Sequence, residues 1–160
     1  MRPGRRAHLA AAVALLLLPV WPAVAVQSDD GDDQALLDDA DYAAGLASLK
    51  AGELPAALGR FQAALKRFPE AADLHNELGY THRRLRQMDK AFEHYRRALA
   101  LKPAHRGAHE YIGEAYLLVG DLGAAEKHLK ALREICLLPC QEAEELSRAI
   151  AEHRARASLR

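Results

Sequence analysis

At 160 residues the chain suits a single domain, and half of its side chains are apolar, enough to bury a core. Its 22 basic and 22 acidic side chains cancel to a formal net charge of +0. That balance does not suggest a nucleic-acid-binding protein, which normally leaves a clustered, strongly basic footprint.

Residues 1–25, MRPGRRAHLAAAVALLLLPVWPAVA, have the three parts of a secretory signal. Arg2, Arg5 and Arg6 form a positive start, Leu9 to Leu18 is apolar, and Ala23-Val24-Ala25 offers a small-x-small cleavage site. The apolar run is shorter than the roughly 20 residues that span a bilayer. Cleavage is therefore expected, with no stable membrane span afterwards and a periplasmic or secreted destination. No Cys follows Ala25, which argues against a lipid anchor, and Arg5-Arg6 lacks the rest of a twin-arginine signal. Removing the leader leaves 19 basic and 22 acidic side chains, a net of −3. Residues 26–37, VQSDDGDDQALL, are acidic and poor in apolar anchors, so they are expected to form a disordered tail.

From residue 38 the chain repeats itself. The central unit, residues 72–105, reads ADLHNELGYTHRRLRQMDKAFEHYRRALALKPAH, with a near-copy on each side at an interval of thirty-four. Gly79 is answered by Gly45 and Gly113, and Ala91 by Ala57 and Ala125. Tyr95 matches Phe61 and Leu129, Ala98 matches Ala64 and Leu132, and Pro103 matches Pro69. This pattern of Gly, Ala, aromatic and Pro resembles the tetratricopeptide repeat family. The resemblance implies an all-α fold, a right-handed α-solenoid of three antiparallel helix pairs over 38–71, 72–105 and 106–139. Each pair buries its apolar face only by stacking on the next.

Helices are predicted over about 39–51, ended by Gly52, and from Pro55 to Phe68. Pro55 suits an opening turn, where a missing N–H costs nothing. The second unit turns at Arg86-Gln87-Met88 with Asp89 as N-cap, and the third turns at Gly120-Asp121 before a helix over 124–135. Asp41 and Ser48 stand where the family places large residues, so the first helix is expected to dock weakly. After Pro139, the apolar residues Ala143, Leu146, Ala149 and Ile150 recur at helical spacing, which predicts a capping helix over 140–156.

Cys136 and Cys140 bracket the turn into that cap, and in an exported chain such a pair reads most simply as a disulfide. A redox pair usually has two intervening residues, a haem site would want His rather than Gln141, and thiolate metal binding would need further ligands. Seven histidines follow the leader: His75, His82, His94, His105, His109, His128 and His153. His75 and His109 share a packed position, His94 and His128 share an outer one, and His105 and His109 stand four apart. Structural or solvated histidine is the expectation, with no metal and no cofactor. No nucleophile motif or phosphate loop occurs, so no enzymatic activity is expected.

The family resemblance also implies a concave groove lined by positions five, nine and twelve of each first helix. Counting from 38, 72 and 106, these are Tyr42, Leu46 and Leu49, then Asn76, Tyr80 and Arg83, then Glu110, Glu114 and Leu117, with Arg84 at the border. Asn76 is expected to hold a ligand's backbone and Arg83 to take a carboxylate. The leading functional reading is an exported adaptor that binds a peptide or helix of another envelope or secreted protein. The alternative is a thiol-redox or metal-handling accessory using Cys136 and Cys140; a homodimer is a further possibility.

Overall fold

The computed structural model describes residues 30–159, which place eight helices in sequence. They are α1 (Asp30–Leu37), α2 (Ala40–Lys50), α3 (Leu54–Leu65), α4 (Ala72–Arg84), α5 (Met88–Leu101), α6 (Arg106–Leu118), α7 (Leu122–Ile135) and α8 (Gln141–Ser158). Helices α2 and α3, α4 and α5, and α6 and α7 pack as pairs; α3 meets α4, α5 meets α6, and α8 closes the stack against α6 and α7. The leader, residues 1–25, lies outside the described residues. Among those described, no helix is long and apolar enough to cross a membrane.

The turn inside each pair is built the same way. Gly52, Arg86 and Gly120, thirty-four residues apart, all adopt positive φ, at 77°, 61° and 84°. Glycine enters that region freely, whereas Arg86 carries a Cβ there at some steric cost. Helix starts are more varied. The Asp39 carboxylate accepts from the amides of Asp41 and Tyr42, the Asp121 carboxylate from Ala124, and the His105 ring from Ala108. Asp89 does not cap α5: Gln87 is its N-cap residue, and Asp89 sits inside the first turn, where a carboxylate still favours the helix dipole.

What sets the spacing within a pair is a glycine facing a large ring. A Cβ built on Gly79 would meet Tyr95 Cδ1 at 2.5 Å, and Gly45 stands against Phe61 in the same manner. Ala57 and Ala91, both fully buried, extend the close approach along the second helices. Gly113 departs from the pattern. Its neighbour is Leu146 of α8, at 2.6 Å from a built Cβ, because Leu129 lacks the reach of Phe61 or Tyr95. Leu146 also lies thirty-four residues after Ile112, itself thirty-four after Leu78, so α8 occupies the place of a fourth first helix.

Two expectations at the N-terminal end need correction. The segment read as a disordered tail is helical from Asp30, and Leu36, 1% exposed, joins a core cluster with Tyr42, Phe61, Leu74 and Leu78. One well-placed leucine supplies the burial that the acidic composition obscured. Residues 26–29 of that segment lie outside the described residues. Nor is α2 loosely held: Arg67 pairs with Asp39 and with Asp41 at 2.7 and 2.8 Å, and Arg60 reaches Asp41 at 3.1 Å. The small Asp41 is accommodated by ion pairs in place of the expected bulky side chain.

Cys136 and Cys140 form a disulfide across the turn into α8, with their Cα atoms 6.1 Å apart. Leu146 and Ile150 then bury against Leu117, Leu129 and Leu132.

Overpacking a tight crossing typically costs about 1–3 kcal/mol, so Gly79→Ala is expected to lower unfolding free energy by that amount. Gly59, inside α3 with open space around it, provides the opposite case: Gly59→Ala should raise stability by roughly 0.5–1 kcal/mol. Urea denaturation of the two variants checks both signs.

Candidate functional site

The inner face of the stack is built from one side of α4 and α6. Tyr80 and Tyr111 pack with ring centroids 5.2 Å apart. The Arg83 guanidinium lies 5.3 Å from one centroid and 5.6 Å from the other. Arg83 also pairs with Glu114 at 2.8 Å, and its side chain is only 12% exposed. One carboxylate therefore already matches its charge, while its Nε is buried without an acceptor. Arg84 donates to the Tyr80 hydroxyl at 2.7 Å and holds the rim. Beside them, Asn76 is 5% exposed; its amide nitrogen reaches Glu77 at 3.5 Å, while its Oδ1 accepts from nothing.

The other foreseen groove residues divide. Leu46 is exposed at the α2 end. Tyr42 is core instead, 6% exposed with its ring 5.9 Å from Phe61, and Leu49 packs on the same cluster. Leu117 belongs to the core beneath α8. Glu110 faces the groove but is 4% exposed, and its neighbours include Glu142 and Glu145 of the cap.

Several residues of this face escaped the sequence reading: Asp73, Glu77, His105, Tyr111, Glu142 and Glu145. A signal for the α4 and α6 members was present. At 3.6 residues per turn, positions two, six and thirteen fall on the same half of a helix as five, nine and twelve. Asp73 is position two, while Glu77 and Tyr111 are both position six. Glu145 stands at that position again if α8 is counted as a fourth unit.

These residues make the groove a ribbon of carboxyl groups. Asp33 meets Lys102 at 3.6 Å, Asp73 meets His105 at 2.7 Å, and Arg106 approaches Glu142 at 3.5 Å, so the edge of the ribbon is partly neutralised. The middle is not. Burial, with Asp73 close by, pushes the Glu77 carboxyl up to about 7. Burial first, and then a hydrogen bond to Glu145, pushes Glu110 up to about 8. Glu145 is held below the usual carboxylate range, chiefly by the amide of Gln141, so the shared proton rests on Glu110.

The outer side carries a different device, in which His94 and His128 take the structural and not the solvated role. His75 Nδ1 lies 3.0 Å from His94 Nδ1, and thirty-four residues later His109 Nδ1 lies 2.9 Å from His128 Nδ1. Each first-helix imidazole also has its Nε2 3.0 Å from a proline carbonyl, Pro69 or Pro103. Nε2–H must donate there, so Nδ1 of His75 and His109 accepts from the second-helix ring. His82 stacks on His94, and Tyr116 on His128. His105 and His109 do not converge: one turns to Asp73, the other to His128. Burial first, then the neighbouring rings, pushes both His94 and His128 down to about 4. Among the described residues, no three His, Cys, Asp or Glu side chains are grouped to hold a metal ion.

A tetratricopeptide repeat family model matches residues 42–106, the first two helix pairs. Solved structures carry the likeness further. The first repeat domain of Spaghetti (RPAP3), bound to the HSP90 peptide SRMEEVD, superposes with a TM-score of 0.63 at 20% identity, covering 81% of this chain and 98% of that one. This is a tetratricopeptide repeat fold. The TPR2B domain of yeast Sti1, in a complex with an Hsp70 peptide, gives 0.66 at 18% identity over 78% of this chain and 97% of that one. The Yersinia enterocolitica translocator chaperone SycD also gives 0.66, at 19% identity, with 82% and 88% covered. At these identities the likeness is one of fold. No curated protein sequence matches the chain.

Two titrations of opposite sign follow from the shifted groups. His94 and His128 are folded with pKa values below the unfolded 6.5, so their contribution is present above that pH and lost as pH falls towards 4. Glu110 is raised above its unfolded 4.5, so its contribution is present in acid and lost as pH rises through 8. Unfolding free energy should therefore fall between pH 6.5 and 4. Glu110→Gln should raise it by about 1–3 kcal/mol above pH 8 and leave it unchanged at pH 4. Guanidinium melts across that range check both limbs.

Proposed function

We propose that this chain is an exported, non-enzymatic adaptor that holds a peptide or helix of a partner protein in its inner groove. The observation that carries the reading is the face built by Asn76, Tyr80 and Tyr111. A buried amide oxygen without a donor stands there beside two half-buried aromatic rings. A peptide N–H would satisfy that oxygen, and the rings offer the rigid, partly polar surface that anchors binding interfaces. The Spaghetti (RPAP3) domain was solved bound to a peptide, and so was the second repeat domain of human RPAP3, which supports the same use of this fold. Export rests on the three-part leader in the sequence, and the Cys136–Cys140 disulfide suits an oxidising compartment.

The chain, immobilised and exposed to an envelope extract, is expected to retain a partner that the double variant Asn76→Ala, Tyr80→Ala does not. Truncating an anchoring tyrosine commonly costs 2 kcal/mol or more, a loss of about thirtyfold in affinity. Equal retention by both proteins, with the variant's circular dichroism and melting unchanged, would remove the groove from the binding role. Cell fractionation of a tagged full-length chain tests the compartment: recovery in the cytoplasm would overturn export.

A further inference from the structure

The two peptide sequences that accompany similar folds, SRMEEVD and SGPTIEEVD, both end in acidic runs. The inner face here has the opposite demand. Asp33, Asp73, Glu77, Glu110, Glu114, Glu142 and Glu145 line it from α1 to α8, and besides Arg148 near Glu145, four groups stand against them: Arg83, Lys102, Arg106 and the His105 ring. Each of those four is already engaged with one carboxylate: Arg83 with Glu114, Lys102 with Asp33, His105 with Asp73, and Arg106 with Glu142. Glu77 and Glu110 have no cation of their own; within the Glu110–Glu145 pair, Arg148 of α8 acts on Glu145 alone.

Acidity alone does not define a site. Here it coincides with the orphaned Oδ1 of Asn76, a side chain 95% buried whose amide nitrogen reaches Glu77 of the same ribbon. An acceptor oxygen, uncompensated carboxyls and the faces of Tyr80 and Tyr111 share one chemical preference, a donor that carries positive charge. Carboxylates pair with guanidinium through charge-assisted hydrogen bonds, and aromatic faces attract the same cation. Backbone N–H groups alone would satisfy Asn76 and leave Glu77 and Glu110 uncompensated. An acidic tail would add like charge to them.

We infer that the groove selects a basic segment of its partner, a stretch bearing arginine or lysine whose side chains lie between Glu77 and Glu110 and over the Tyr80–Tyr111 pair. The inference rests on the peptide-binding reading above and specifies its charge. It also gives binding a pH signature. Glu77 faces Asp73 and Asn76 on α4, His105 at the N-cap of α6, Tyr111 on α6, and Tyr42 on α2. Glu110 faces Glu114 and Tyr111 on α6, and Glu142 and Glu145 on α8. A cation among these groups favours their ionised forms, so protons leave as the segment binds, and affinity rises from pH 6 to 8.

Fluorescence anisotropy with two labelled peptides tests this on the purified chain. One is a short arginine-, leucine- and alanine-containing peptide; the other carries glutamate at every arginine. The arginine peptide is expected to bind at least about tenfold more tightly, and the double variant Glu77→Gln, Glu110→Gln to erase about tenfold of its affinity. The double variant Glu134→Gln, Glu152→Gln removes at least as much negative charge at exposed carboxylates on α7 and α8. It should stay within about twofold of the parent. Neutralising two raised carboxyls does not threaten folding, so a weakened response of the groove variant reads as lost binding. Preference for the glutamate peptide, removed by Tyr80→Ala, would overturn the charge assignment and leave the groove intact. Equal losses in the two double variants would reduce the attraction to non-specific charge and overturn it as well. If neither peptide responds to any groove substitution, the charge assignment and the groove reading fall together.

Discussion

The approach of a bare backbone to an aromatic ring governs the geometry of this stack. Gly79 leaves no room for a methyl group against Tyr95, nor Gly45 against Phe61, so each pair of helices is held close and its ring is wholly removed from water. The large fully buried side chains Tyr95, Phe61, Leu74, Leu78 and Ile112 all belong to these crossings or to the seams between pairs. Because each pair is thin, the apolar gain comes from the seams, and it accrues only when pairs stack. The inner face follows from this geometry: first helices set side by side at a constant offset present the same positions of each repeat to one surface.

Most of the architecture was legible because it depends on small residues at fixed intervals, and small residues are easy to see. The recurrence of glycine, alanine and ring identifies the crossings, and Gly52 and Gly120 mark the turns. Arg86 holds the equivalent left-handed turn, which the repeat register places without a glycine to mark it. The N-terminal helix was hidden for another reason. Its composition is that of a solvated acidic run, and only Leu36 finds the core, a contact that depends on how the chain doubles back from Asp38. The groove was half legible. A single stripe captures Asn76, Tyr80, Arg83, Glu110 and Glu114, while the adjacent stripe holding Asp73, Glu77 and Tyr111 follows from the same helical period. Depth was not legible: Tyr42 and Leu117 lie on the same stripe as the exposed Leu46, yet they are covered by elements at either end of the stack.

The two sides of the solenoid are tuned in opposite electrostatic directions. Inside, burial raises carboxyl groups towards neutrality near physiological pH. Outside, burial keeps the His94 and His128 imidazoles uncharged well below it. One side resists becoming anionic and the other resists becoming cationic, so the fold is most comfortable in the interval between them. The imidazole pairs tie first to second helices in the second and third units, at equivalent positions beside Pro69 and Pro103. They form the polar counterpart of the glycine crossings.

The helix that seals the stack is also a wall of the groove. Cys140 is the residue from which α8 springs, and Glu142 and Glu145 follow within its first turns. The covalent ring at Cys136 therefore fixes the height at which the last two carboxyls stand opposite Glu110. A closure that serves durability at one end thus doubles as a gauge for whatever lies along the inside. In this chain, fastening and reading cannot be adjusted separately.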